Sequence, residues 1–253
     1  MKTVAGYLQV MSDPVYYKVL GANGACCHGG TGRWSMDGSW MPPVYGGLAP
    51  CVRGYHLCRP TDLVEWLGPE IWIAEGQGRS FINGQYLIFE RARVVQRLEA
   101  WTPAAARTFA VACAERTLGI IETARPDTPS VATALNVARS LTPDAEKVEP
   151  VTRSATAMWH LARQLDGATR DAVLSIYGAL AWRNPGMAAW AAAGSARSAH
   201  AAHTWEQTMS TGTTQGLHPR EAERLANAAS SAAMQAERSW QTSQLMAILQ
   251  STS

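Results

Sequence analysis

The residues best equipped for chemistry lie early in the chain and close together. "CCHGG" sets Cys26, Cys27 and His28 side by side, and "CVRGYHLC" adds Cys51, His56 and Cys58 some twenty residues later. The remaining cysteine, Cys113, stands alone in the apolar stretch "FAVACAERTL". Cysteine thiolates and histidine nitrogens are the donors that tetrahedral zinc takes. Cys51, His56 and Cys58 offer three such donors, and Cys27, with Cys26 or His28 as alternatives, a fourth. That set predicts a structural zinc site drawn from two loops, which would staple a small Gly-rich domain. The spacing argues the other way. There is no C-x-x-C knuckle, and His56 and Cys58, two residues apart on one strand, reach a single metal only if the strand bends. In the plainer reading Cys51 and Cys58 are small buried hydrophobes and His56 is a hydrogen-bonded strand residue. In a third reading the same residues wall a functional pocket.

Other constellations carry less. "HGGTG" and "GQG" lack the glycine spacing, lysine and flanking strand of a phosphate-binding loop or a dinucleotide fingerprint. Cys27 beside His28 resembles a nucleophile–base pair on paper, but sequence neighbours seldom present both side chains to one point. His200 and His203 share a helix face with Glu206, a spacing that supplies half a metal site or a solvated stripe. Arg107, Arg116 and Arg139 alternate with acids and are expected to form ion pairs on exposed helix faces.

Two kinds of element must position these residues. Up to Trp101 the chain is rich in Gly, Pro and Trp, with β-like runs at "VYYKVL" (15–20), "EIWIAEG" (70–76) and "QYLIFERARVV" (85–95). Asn83-Gly84 predicts a hairpin turn between the last two. "RPTDLVEWLG" (59–68) reads as a short helix with Thr61 as N-cap and Gly68 as stop. After "AWTP" the periodicity becomes helical: 103–124 opens with a proline, and further helices are expected at 129–141, 151–165, 167–183, 185–209 and 219–250. Dense alanine lets helix axes approach, and Trp159, Trp182, Trp190, Trp205 and Trp240 are expected to fill the wider gaps. "TPDAEKVEP" (142–150) reads as a flexible connection. The fold class is therefore α+β: a β-rich α+β domain over 1–101, then an all-α helical bundle over 102–253.

Composition narrows the function. Net charge is +2, charged residues make up 17% of the chain, and no Lys/Arg stripe favours nucleic acid. Tyr7, Gln9, Ser12 and Asp13 interrupt any apolar signal core, and no stretch reaches the ~18 apolar residues of a membrane span. The expectation is a cytoplasmic protein with no membrane partner, in which a disulfide framework has no place.

The order of "VYYKVL", "CCHGGTGRW", "WMPPV", "CVRGYHLCRPTDLVEWL", "IWIAEGQG" and "FERARVVQRLEAW" resembles an uncharacterised family from phages, prophages and actinobacteria. That family has a G-aromatic-H-x-C core followed by P-x-D-L. "FAVACAERTLGIIETARPDTPSVATALNVARS" and "ERSWQTSQLMAIL" resemble Ala-rich helical domains labelled as immunity proteins of toxin systems. Together these resemblances cover residues 15–140 and 235–249, and they imply an architecture more than an activity. They lead to a non-catalytic interaction module that binds a protein partner, with homo-oligomerisation open. The alternative is an NAD-dependent ADP-ribosyltransferase-like enzyme, which the outline of the first half also resembles. That likeness implies that His28 holds a ribose, Tyr55 stacks on nicotinamide, and Glu75 (or Glu90) stabilises the oxocarbenium charge.

Overall fold

A computed structural model of the chain describes residues 15–141 and 149–251. The expected connection at 142–150 lies almost wholly outside them. The described residues group into two compact units: those up to Ala105 together with those from Thr242 on, and those within Ala106–Gln241. The α+β class is as the sequence indicates, with strands first and helices after.

The first unit is built on four antiparallel strands, β1 (Tyr16–Leu20), β2 (Tyr55–Leu57), β3 (Glu70–Asn83) and β4 (Tyr86–Arg97), in the spatial order β1-β3-β4-β2. Its outer strands then meet. Tyr17 and Cys58 exchange backbone hydrogen bonds of 2.8 and 2.7 Å, so the chain just past β2 closes onto β1. Such closure removes part of two exposed sheet edges. One side of the strands carries an apolar cluster that includes Leu20, Trp34, Leu57, Ala74, Phe89 and Val94. On the other side Tyr17, Val19, Ile71 and Ile73 are also buried, the alternation expected of strands covered on both faces.

The β3–β4 hairpin forms, but its turn is shifted one residue from the expected place. Asn83 pairs with Tyr86, which leaves Gly84 and Gln85 as the loop. Gly84 has φ +57°, the positive angle that a glycine-first two-residue turn requires. The segment expected to be a helix at 59–68 is a 3-10 helix over Pro60–Glu65, and Arg59, not Thr61, is its flanking residue. Pro60 explains the shift, because its fixed φ suits the first helical position.

The second unit is helical, and the helices are α1 (Pro103–Glu115), α2 (Leu118–Ala124), α3 (Pro129–Ser140), α4 (Glu149–Ala162), α5 (Gly167–Ala181), α6 (Pro185–Thr214) and α7 (Pro219–Gln250), of which the start of α1 and the part of α7 from Thr242 on belong to the first unit. The continuous helix expected over 103–124 is broken at Thr117. That residue is fully buried and donates its hydroxyl to Ala114 O at 2.8 Å, with Ala172 O of α5 3.2 Å away. A side chain that bonds the preceding turn competes with the helix ladder. Alanine packing is as anticipated between α5 and α6. A Cβ added at Gly178 would lie 2.8 Å from Ala192 N, and Ser175 donates to Ala192 O at 2.8 Å. The tryptophans depart from expectation: Trp159 and Trp182 stand 44% and 42% exposed instead of filling gaps. Asn184 caps α6, accepting the Met187 N–H at 3.1 Å.

The three arginines also part company. Arg139 pairs with Glu115 on an exposed face, as foreseen. Arg116 instead reaches the buried carboxylate of Glu237 at 2.7 Å, and Arg107 is itself buried with its Nε unpartnered.

No helix among the described residues is long and apolar enough to cross a membrane.

Candidate functional site

Two loops and three strands of the first unit, β1, β2 and β4, line a cavity of about 340 Å³. The first loop follows β1. Asn23 and Gly24 both take positive φ, and a Cβ at Gly24 would fall 2.4 Å from Trp34 O, so only glycine fits where the chain turns back. Ala25 then bridges to Arg33, and Cys26, Cys27 and His28 sit on the intervening loop, all lining the cavity. The second loop is the Ala49–Arg53 turn, closed by mutual backbone hydrogen bonds of 3.0 Å. At its tip Cys51 has φ +57°, a left-handed conformation uncommon for a residue with a Cβ. Cys51 is exposed at the cavity and donates its N–H to His56 Nε2 at 3.1 Å.

Aromatic rings make one wall as a continuous arc. His28 meets Trp66 edge-on at 5.6 Å, Trp66 lies 6.0 Å from Tyr86, and Tyr86 meets His56 edge-on at 6.2 Å. Carbonyl partners fix the first ring: His28 Nε2 donates to Trp66 O at 2.8 Å, with Leu67 O 3.1 Å away. At His56 the Cys51 N–H occupies Nε2, and a hydrogen bond to the Gly54 backbone also holds the ring. Burial, followed by the nearby Lys18 charge, holds the His56 pKa below its ordinary 6.5.

Lys18 supplies the cavity's cationic group. It lies on β1 between the buried Tyr17 and Val19, donates Nζ–H to His56 O at 3.1 Å, and rests 4.8 Å above the Trp34 ring. No Asp, Glu or Arg is among the described residues that line the cavity. Desolvation drives the Lys18 pKa below its ordinary 10.5, opposed by the thiols of Cys58, Cys26 and Cys27. Those thiols give little opposition. Burial pushes Cys58 up to about 12 and raises Cys27, so both are neutral near pH 7.

The structure therefore brings all four residues of the zinc set, Cys27, Cys51, His56 and Cys58, to one cavity. It does not converge them: among the described residues no three His, Cys, Asp or Glu side chains form a group able to hold a metal. The backbone hydrogen bond into His56 Nε2 occupies one of the nitrogens that a metal would need. Of the triad implied by the ADP-ribosyltransferase likeness, His28 lines the cavity while Tyr55 and Glu75 do not. Tyr55 Oη donates to Pro42 O at 2.8 Å, and Glu75 is held by Arg93 at 2.7 Å. Glu90 is likewise taken, by Arg79 at 3.0 Å. In the helical unit His200 Nε2 faces Glu237 at 3.6 Å, whereas Glu206 turns to the Ala168 N–H at 3.0 Å, so the stripe of two histidines and a glutamate splits between two tasks.

Lys18, Trp66 and Tyr86 are the site residues that motif reasoning passes over. The available signal is a lone lysine flanked by apolar residues on both sides in "VYYKVL". Set beside known proteins, the chain matches no family model, no curated protein and no solved structure.

Proposed function

We propose that the protein is a binding module whose β-rich unit takes a small ligand with an apolar body and one oxygen acceptor, a carbonyl or carboxylate. The observation that carries this reading is the pairing of a single amine, Lys18 Nζ, with an arc of four rings around about 340 Å³. Pockets for small organic ligands begin at roughly that size, mostly apolar with a few convergent polar groups. Lys18 would donate to the ligand oxygen while Trp66 and Tyr86 take its hydrophobic part. With no carboxylate among the described lining residues, no carboxylate pair of the glycosidase kind is found there.

Calorimetric titration with benzoate and benzyl alcohol tests this. Benzoate should bind more tightly, and Lys18→Met should weaken it about tenfold or more, the worth of a charge-assisted hydrogen bond at ~1.5–3 kcal/mol. No binding of either compound, or binding indifferent to Lys18→Met, would refute the reading.

A second reading, a protein partner docking on the helical unit, is favoured by one observation. Trp159, packed 5.5 Å from Tyr177, and Trp182 are large apolar groups left open to solvent. Tryptophan is enriched at the centres of protein interfaces. Loss of a co-purifying partner in a Trp159→Ala, Trp182→Ala variant would support it, and an unchanged set of co-purifying proteins would count against it.

A further inference from the structure

Resting on the reading of this cavity as a ligand site, we propose that Lys18 holds its ligand covalently, Nζ condensing with an aldehyde or ketone to form an imine. Residue choice comes first. Of 22 basic residues in the chain only Lys2, Lys18 and Lys147 are lysines, so the chain uses arginine almost everywhere else. A guanidinium stays charged at any ordinary pH and has no lone pair to offer, whereas a buried amine loses its proton readily. The one Lys or Arg among the described residues lining the cavity is the amine Lys18.

The surroundings then leave that amine available. Among the described residues no carboxylate pairs with Lys18, and its one hydrogen-bond acceptor is His56 O. The nearby thiols of Cys27 and Cys58 are kept neutral by burial, so they do not pin an ammonium in place. Desolvation, the largest influence, favours the unprotonated form; the Trp34 face, the His56 carbonyl and the neighbouring thiols of Cys58, Cys26 and Cys27 act the other way without overturning it. This is the environment in which lysine acts as a nucleophile toward carbonyl groups.

The step balances without an oxidant or a further reactant. The Nζ lone pair forms a bond to the carbonyl carbon while the C=O π pair moves to oxygen. A proton passes from nitrogen to that oxygen, giving a carbinolamine. The hydroxyl then leaves as water with one further proton, and the nitrogen pair closes the C=N bond. The ring arc beside Lys18 favours a carbonyl carried on an aromatic or branched apolar body.

The test is reductive trapping of the full-length chain with benzaldehyde and sodium cyanoborohydride at pH 7, read by intact mass and peptide mapping. Benzylation at Lys18 should run at least tenfold ahead of Lys2, Lys147 and the N-terminal amine. It should disappear in Lys18→Arg, which keeps the charge, with circular dichroism confirming that the variant folds. The rate at Lys18 should level off at a lower pH than that of an ordinary lysine, which keeps rising toward pH 10. Labelling of the other amines with Lys18 untouched overturns the proposal. If benzoate binds calorimetrically but no Lys18 adduct forms, the covalent step fails and the cavity reading stands. If neither occurs, both fail.

Discussion

Replacing Lys18 by methionine removes the amine but keeps an unbranched chain of similar length, and the consequence for stability depends on pH. Two favourable contacts are lost. The hydrogen bond to His56 O at 3.1 Å is worth about 0.5–1.5 kcal/mol net. The contact 4.8 Å above Trp34 adds about 0.5–2 kcal/mol while the amine is charged. Against these stands the cost of holding an ammonium in a desolvated site, and the lowered pKa states that this cost exceeds the electrostatic gains. Because the unfolded chain, with its lysine near 10.5, binds the proton more tightly than the folded one, the contribution of Lys18 to wild-type stability rises with pH through the window below 10.5. One proton limits the slope to about 1.36 kcal/mol per pH unit. At pH 10.5 and above, where the amine is neutral in both states, Lys18→Met should be the less stable protein by about 1 kcal/mol. Toward pH 7 the difference should shrink. Urea titrations of both proteins from pH 6.5 to 10.5, followed by NMR signals of β3 and β4, measure it. A difference that stays constant across the range would show that Lys18 is not desolvated, and would refute the reasoning.

Three further outcomes follow from the geometry. Cys51→Gly should stabilise the protein by about 1 kcal/mol in thermal unfolding, since the left-handed φ of +57° costs a residue with a Cβ and costs glycine nothing; destabilisation would mean the thiol makes a contact that matters more. Gly178→Ala should destabilise by about 1–2 kcal/mol, because its Cβ meets the α6 backbone at 2.8 Å and the overpacking outweighs the helix-propensity gain. Gly194→Ala, whose nearest new neighbour is a side-chain nitrogen at 3.9 Å, should stabilise by about 1 kcal/mol, and equal signs for the pair would contradict the close approach of α5 and α6. Glu237→Ala should cost about 3 kcal/mol in denaturant titration. It strips Arg116 of its 2.7 Å partner and Gln241 of a 3.1 Å acceptor, while Arg116 keeps some access to water. A cost below 1 kcal/mol would show the buried carboxylate to be dispensable.

Strands and helices were legible because their signals are local. "VYYKVL" and "QYLIFERARVV" alternate and are β-branched or aromatic, and both become strands. The misplacements arise where tertiary partners decide. Nothing local shows that Thr117 will bond Ala114 and lie beside Ala172, which splits the helix expected over 103–124. Nor does local pattern show that Trp159 and Trp182 face solvent, since a tryptophan beside alanines reads the same in either case. At the site, Cys26, Cys27, His28, Cys51, His56 and Cys58 all line one cavity, one of three arrangements that their clustering in sequence left open. Their lack of convergence was illegible, because it depends on the Cys51 N–H reaching His56 and on the closure of Cys58 against Tyr17. Lys18 went unseen for the same reason. Its role arises from the second loop and from His56, 38 residues away in the chain.

In the proposed reading, the cavity beside Lys18 is where this protein binds a small ligand. Two-dimensional ¹H–¹⁵N NMR of the full chain, titrated with benzoate and with benzaldehyde, tests it most directly. The expected result is saturable shifts concentrated at Lys18, His28, Cys51, His56 and Tyr86, with the helical residues unmoved. Shifts centred on the helices, or none at millimolar ligand, would contradict it.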